Sequence, residues 1–484
     1  MKKSISLRAL LIAGIILTLI SCPAMAQVKV RLNPKAPQTL MIWHYYNGIQ
    51  QQVFDRLLLT FNEELGVKEG IIVEAHSQGS ISDLTTKLLQ AANKEPGAEN
   101  MPDMFAAYAD TAFQLDQMGF VADLAPYMTA EERAEYVESY MQEGELGTHG
   151  ALKVFPTAKS TELLLLNATD WEPFAADTGA DKALLATWEG IVSLSKAFYE
   201  WSDAQTPEVA DDGKALFGRD AFANYMLIGS LQLGKEMFQV SDGIVNLQVD
   251  EAIMRKLWDH YYVPFVNGWF GAYGRFRSDD VKTGRLLALV GSTSGALYFP
   301  TEVTRDDGTT YPIACEVYPL PNFAGTEPYA VQQGAGLVVT SSTQEKEYAA
   351  TFFLKWFTEV HKNIEFSIRS GYLPVKYAAN DQTLLDQSIK DYTITPLLRR
   401  IIDVGLSITE NYQLYTNSAF QHGNAARQVV ETSMTQAAMQ ALAQRDMLIA
   451  QGLSRDAAIQ SLTTDEAFAE WYAGFTASLA EAVR

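Results

Sequence analysis

The sequence predicts an α/β protein whose chain passes between two packed bodies. Three observations carry this. The first third alternates strand-like and helix-like patterns. A length of 484 residues allows two or three domains. Residues 150–167 are apolar at both ends, at Val154-Phe155 and over 163–166, with a polar patch over 157–162 between them. Pro156 disfavours a helix there. Such a segment reads as a strand that leaves one body, lines a wet gap and enters the second.

The elements follow in order. Residues 40–44, Leu-Met-Ile-Trp-His, form a short apolar run that predicts a first buried strand, with Tyr45-Tyr46-Asn47-Gly48 as its turn. Val53, Leu57, Leu58, Phe61 and Leu65 have helical spacing, and Gly66 is expected to stop that helix. Residues 71–75 make a second strand. Ser80 and Ser82, with Asp83, cap a helix over 84–92. Residues 101–108 give a third strand, followed by a helix that ends at Gly119.

Beyond the crossing, Thr187-Trp188-Glu189 opens a helix through Tyr199. The polar stretch 203–218 reads as a loop or lid. Helices are expected over 221–233 and 250–262, and strands over 286–290 and 311–319. Residues 334–340 look like a second crossing. A strong helix covers 344–360, residues 371–375 bend, and 396–484 are mainly helical.

An apolar share of 48% with 20% charged residues fits a globular protein with a large core. The formal net charge of −21 argues against nucleic acid, whose phosphates need a basic surface, and against docking to an anionic bilayer. Lys2, Lys3 and Arg8 precede an apolar run over 9–20, the pattern of a signal peptide. Two exits follow it. Ala24-Met25-Ala26 permits cleavage after Ala26, the favoured reading, with 1–26 as the signal. Leu19-Ile20-Ser21-Cys22 would instead anchor Cys22 through a lipid. Either way the protein is expected in the periplasm or elsewhere outside the cytoplasm. If Cys22 leaves, Cys315 has no partner.

Enzyme motifs are absent: no HExxH, P-loop, GxSxG or CxxC. No two of the six histidines are spaced as a metal-ligand pair. Neither catalysis, a metal nor a cofactor is expected. Asn167-Ala168-Thr169 matches a glycosylation sequon. The aromatics are more informative, because sugars stack on aromatic faces while amides and hydroxyls bond their oxygens. Tyr45 and Tyr46 with Asn47, Trp269 in a Gly-rich segment, and Tyr412 in a polar stretch are candidates of that kind; each could equally fill a core. Ser292 and Ser294, in Gly291-Ser-Thr-Ser-Gly295, could offer hydroxyls and N–H groups to a ligand. Lys159 either pairs with Glu162 or is solvated. Arg219-Asp220 either meets a ligand or caps a helix.

These segments together resemble the extracellular solute-binding proteins of ABC importers, in the branch of maltose- and glycerol-3-phosphate-binding proteins. The marks are Trp43-His44 with Phe61-Asn62, Pro102-Asp103, Phe155-Pro156 through Asn167, and Thr187-Trp188-Glu189. Further marks are 291–297, Pro319-Leu-Pro321 with Gly334-Ala335, 345–356, and Gly371-Tyr372-Leu373-Pro374-Val375. The resemblance implies a two-lobe periplasmic binding protein fold with crossing hinge strands and a ligand cleft. It implies lobe one as 37–157 with 331–385, and lobe two as 158–330 with 386–484. It implies a monomer that holds a small-molecule solute, a sugar or polyol, and hands it to the permease's transmembrane subunits.

The glycerol-3-phosphate binders are the most similar branch. Their ligand contacts fall here on Ser160, Ser294, Gly334 and Tyr372, with Ala335 adjoining. The branch's acidic contact falls on Ala109, with Asp110 beside it, and its tryptophan loop reads Phe217-Gly218-Arg219-Asp220. No arginine occurs between Ile401 and Ala426 to grip a phosphate. A neutral sugar, oligosaccharide or polyol is therefore expected, unless Arg219 or Lys159 serves a glycerol-3-phosphate or glycerophosphodiester. The rival readings are a secreted carbohydrate-active enzyme, with Asp103 and Glu162 as its acids, and a binding protein that signals to a membrane receptor.

Overall fold

The structure is a computed structural model and describes residues 27–146, 150–241, 243–391, 394–416 and 418–484. The expected signal peptide and Cys22 lie outside these residues. The strands of the two larger sheets are β1 (Gln38–His44), β2 (Ile71–Ser77), β3 (Met104–Ala107), β4 (Glu162–Asn167), β5 (Phe217–Arg219), β6 (Ala288–Ser292), β7 (Cys315–Pro319) and β8 (Gly336–Val339). One sheet runs β8-β3-β1-β2 and the other β7-β4-β6-β5. In the first, β1 is parallel to β2 and β3, and β8 lies antiparallel to β3. In the second, β4 is antiparallel to β6 and β7, while β5 is parallel to β6. β3 and β4 are buried along their whole length, as strands with covered faces require.

Helices α1 (Gly48–Phe61), α2 (Ile81–Ala92) and α3 (Ala109–Gln117) share a core with the first sheet, joined by α7 (Gln344–Phe357). Between these in the chain, α4 (Trp188–Asp203), α5 (Phe222–Gln232) and α6 (Glu251–Val266) pack on the second sheet. Helices α8 (Pro396–Asn411), α9 (Gly423–Ala450) and α10 (Asp465–Ala482) complete that second core. A small cluster with Ile364, Leu373, Leu385 and Ile402 ties the bend after α7 to α8.

The two crossings run side by side. Phe155 exchanges backbone bonds with Leu337, and Ser160 with Gln333. Lys159 does the same with Leu373. Gly334 takes a left-handed φ of 104°, and a Cβ there would lie 2.8 Å from the Ala158 carbonyl. Only glycine lets the crossings approach this closely.

Several expectations need correction. Gly66 does not stop the first helix; the chain continues through a π-turn at Asn62–Gly66 to Glu69, and Gly70 ends it at φ 78°. Gly66 is there for packing, since a Cβ would meet the Ile71 carbonyl at 2.5 Å. The strand expected over 311–319 is two, Thr310–Pro312 and β7, because Pro312 cannot donate to a ladder. The expected loop over 203–218 ends in buried residues that become β5. The polar patch 157–162 is not wet. All six residues are buried; the charged ones, Lys159 and Glu162, are met by Glu143, Arg219 and Asn224, while the Thr157 and Thr161 hydroxyls have no hydrogen-bond partner among the described residues. Asn167 is fully buried and caps the next helix, so the sequon offers no accessible amide. Cys315 is free, and burial pushes its thiol up to about 12. Among the described residues no helix is long and apolar enough to cross a membrane.

Candidate functional site

The end of β3 delivers Tyr108 and opens α3 with Asp110 in its first turn. The far side of the gap is built by α5, which presents Asn224, and by the start of α9, which presents Arg427. Gln332 and Gln333 arrive on the second crossing. Together with Glu143 and Tyr415 these residues enclose an interlobe cavity of about 240 Å³. A second cavity of about 210 Å³ is lined by Glu162, Asp220, Ser292, Phe299 and Phe276, and it shares Gln333 and Ala221 with the first.

Two buried ion pairs flank the crossings. Lys159 Nζ donates to Glu143 Oε2 at 2.7 Å and to the Gly334 carbonyl at 3.1 Å. Gln332 Nε2 donates to the same Glu143 oxygen at 2.5 Å. Arg219 Nη2 straddles both oxygens of Glu162, at 2.9 and 3.0 Å. Asn224 Nδ2 donates to Glu162 Oε1 at 2.8 Å, and Asn224 Oδ1 accepts from Arg427 Nη2 at 2.6 Å. Thus Lys159 pairs with Glu143 rather than with Glu162. Arg219 does not cap a helix and faces a carboxylate instead.

Asp220 is not a cap either. Its Oδ1 accepts from the Arg277 backbone at 3.2 Å, and burial raises its pKa despite Arg277. The first turn of α5 is held by Glu431, whose carboxylate accepts from Phe222 and Ala223 at 2.9 and 2.6 Å. Asp110 also responds to burial: its carboxyl is pushed up to about 6, with Arg427 opposing. Its Oδ1 has no hydrogen-bond partner, and neither has Gln332 Oε1. The Tyr415 hydroxyl lacks one as well, although the Glu236 carboxylate lies beside it.

A third group sits at the end of β1. The Tyr45 and Tyr372 hydroxyls are 3.1 Å apart, Ser294 adjoins Tyr372, and burial with the neighbouring tyrosines raises Tyr45 well above its ordinary value. Tyr108 adjoins this group and also lines the first cavity.

The fifteen residues expected from the sequence therefore divide. Asp110 lines the first cavity, Asp220 and Ser292 the second, and Tyr45, Tyr372 and Ser294 meet beside them. Lys159, Ser160, Arg219, Gly334 and Ala335 build the crossings and their buried pairs. Tyr46 is core, packed on His44, Phe54 and Phe366. Asn47 bonds the Tyr45 and Gly79 carbonyls. Trp269 lies under Lys196, and Tyr412 bonds the Leu320 carbonyl; neither lines these two cavities. In the Gly291–Gly295 turn, the N–H groups of Thr293 and Gly295 are taken by Thr161 and Ser292. Tyr108, Glu143, Asn224, Gln332, Gln333, Tyr415 and Arg427 were missed. Signals existed for three of them: Tyr108 closes the predicted third strand, Tyr415 shares Tyr412's polar stretch, and Arg427 lies one residue past the interval 401–426.

The first cavity thus lies between the bodies built on the two sheets, over the paired crossings. The sequence profile described as bacterial extracellular solute-binding protein matches residues 58–396. The chain belongs to this family. This solute-binding protein also shares its fold with solved structures of low identity. UgpB from Mycobacterium tuberculosis, in complex with glycerophosphocholine, is 16% identical with a TM-score of 0.63, covering 92% of this chain and 100% of its own. An ABC substrate-binding protein from Listeria monocytogenes, in complex with cycloalternan, is 13% identical with a TM-score of 0.64, covering 92% and 99%. A cyclic alpha-maltosyl-1,6-maltose binding protein from Arthrobacter globiformis is 16% identical with a TM-score of 0.62, covering 90% and 100%. No curated protein sequence matches significantly. The fold is thus the two-lobe fold with crossing strands that the sequence predicts.

Proposed function

We propose that this solute-binding protein is the capture component of an ABC importer. It closes over a sugar, oligosaccharide or polyol in the periplasm, as a monomer, and presents it to the permease's transmembrane subunits. The observation that carries this reading is the pair of unmet acceptors, Asp110 Oδ1 on one wall and Gln332 Oε1 on the crossing floor, in a cavity whose far wall brings Asn224 and Arg427. An unmet buried polar group costs roughly 1–3 kcal/mol, and a guest rich in hydroxyl donors recovers that cost. Such a guest favours the closed form because only there do both walls reach it. The cavity, about 240 Å³, adjoins a second space of about 440 Å³ that shares Glu143, Gln332 and Tyr415 with it, which leaves room for a mono- or oligosaccharide.

The glycerophosphate alternative loses the two cations first named for it, since Lys159 and Arg219 are each engaged by a carboxylate. The two acids first named for the enzyme alternative do not meet. Asp103 accepts from the Met41 N–H and Lys346 in the first sheet's body, while Glu162 bonds Arg219 in the second. Isothermal titration against neutral sugars and polyols, with scattering to follow compaction, tests the reading. Binding with a reduced radius of gyration is expected. A folded sample that neither binds nor compacts with any solute refutes it.

A further inference from the structure

We propose that Arg427 is the specificity-determining residue of the cleft, and that it selects a sugar acid through a single carboxylate. This rests on the cleft being the solute site and adds a charge to the guest. The buried cations nearby are neutralised within the protein, Lys159 by Glu143, Arg219 by Glu162 and Arg277 by Asp280, whereas Arg427 is half-buried. Among the described residues no carboxylate lies within ion-pair distance of its guanidinium, and its protein hydrogen bond is the one to Asn224 Oδ1.

Asn224 is 1% exposed, and its Nδ2 is committed to Glu162 and Gln333. The amide cannot turn without breaking those bonds. It therefore fixes one N–H of Arg427 and leaves the rest of the fork for the cavity. A planar fork with an open edge matches a carboxylate, which accepts two parallel bonds.

The walls set the size of the charge. Asp110 lines the same cavity, so every anion that reaches Arg427 also meets a carboxyl group. A phosphomonoester, at about −1.5 to −2 near neutral pH, roughly doubles its repulsion from Asp110 along with its attraction to Arg427, and it must also give up the hydration of a second charge that finds no second cation among the described lining residues. The unmet acceptors on Asp110 and Gln332 ask for donors, which a hexuronate supplies from its ring hydroxyls.

The test is titration of the full mature chain and of Arg427→Gln and Arg427→Lys with galacturonate, galactose, glycerol 3-phosphate and a glycerol phosphodiester. Circular dichroism confirms that each variant is folded. Galacturonate is expected to bind about tenfold or more tighter than galactose, worth about 1.4 kcal/mol. Arg427→Gln should erase that preference, and Arg427→Lys should keep part of it. The proposal is overturned if galactose binds as tightly as galacturonate, if Arg427→Gln weakens both sugars equally, or if either phosphate ester binds tightest. Galactose binding without galacturonate preference sinks this inference and spares the cleft. Binding of none of the four by folded protein sinks this inference, and the cleft reading then rests on the wider panel of sugars and polyols.

Discussion

Replacing Arg219 with Met removes the countercharge of Glu162 but leaves that carboxylate where it is. Both side chains are 1% exposed, so the carboxylate has little access to water that could replace the guanidinium. Breaking a buried pair from one side costs about 3–5 kcal/mol. The Asn224 bond to Glu162 Oε1, at 2.8 Å, survives and offsets about 1 kcal/mol of this. The expected loss is therefore about 2–4 kcal/mol. The double change Arg219→Met with Glu162→Gln buries no charge and should recover most of it, because a hydrophobic replacement of a buried pair is often near neutral. Urea unfolding followed by tryptophan emission and by circular dichroism measures both, provided that the two probes coincide. A single variant within about 1 kcal/mol of the parent, or a double variant no better than the single, refutes the assignment of this pair to structure. So does a loss of solute affinity in the folded single variant larger than its loss of stability.

Three further outcomes follow from individual residues. His44 is fully buried and lowered to about 4, by burial first and His76 second. The unfolded chain therefore binds the extra proton between pH 6.5 and 4, and His44 withdraws stability as pH falls through that window, about 3 kcal/mol in all. Asp110, raised to about 6, acts in the opposite sense, so the measurement is the difference in stability slope between the parent and His44→Gln; equal slopes would exclude the effect. Gly334→Ala should lower the unfolding midpoint, since φ 104° and a Cβ 2.8 Å from the Ala158 carbonyl cost roughly 1–3 kcal/mol or more; an unchanged midpoint counts against the close approach. Glu431→Gln weakens the charged cap on α5 by about 0.5–2 kcal/mol, readable by denaturation, and no loss would mean that the cap is idle.

The sequence disclosed most where the signal is local. Ser80, Thr187 and Asp250 cap the helices that their spacing predicts, and 150–167 does cross between sheets. It disclosed least where partners come from afar. Glu162 and Arg219 are 57 positions apart, and nothing in either neighbourhood announces the other. Polarity alone made 157–162 look wet, yet polar groups bury readily once they are paired. Aromatic content alone could not separate Tyr45, whose hydroxyl meets that of Tyr372 beside the cleft, from Tyr46, one residue on and packed on His44, Phe54 and Phe366 in the core.

Tyr329–Val331 pairs in parallel with Gln413–Tyr415, and Glu431 closes a helix that begins two hundred positions earlier. A chain threaded across a membrane amino end first delivers that helix long before its cap. Until the late segment emerges, the strand Tyr329–Val331 is an open edge and the helix an unquenched dipole. A chain exported in that order would have an interval in which holding chaperones have something to grip, and aggregation its best opportunity.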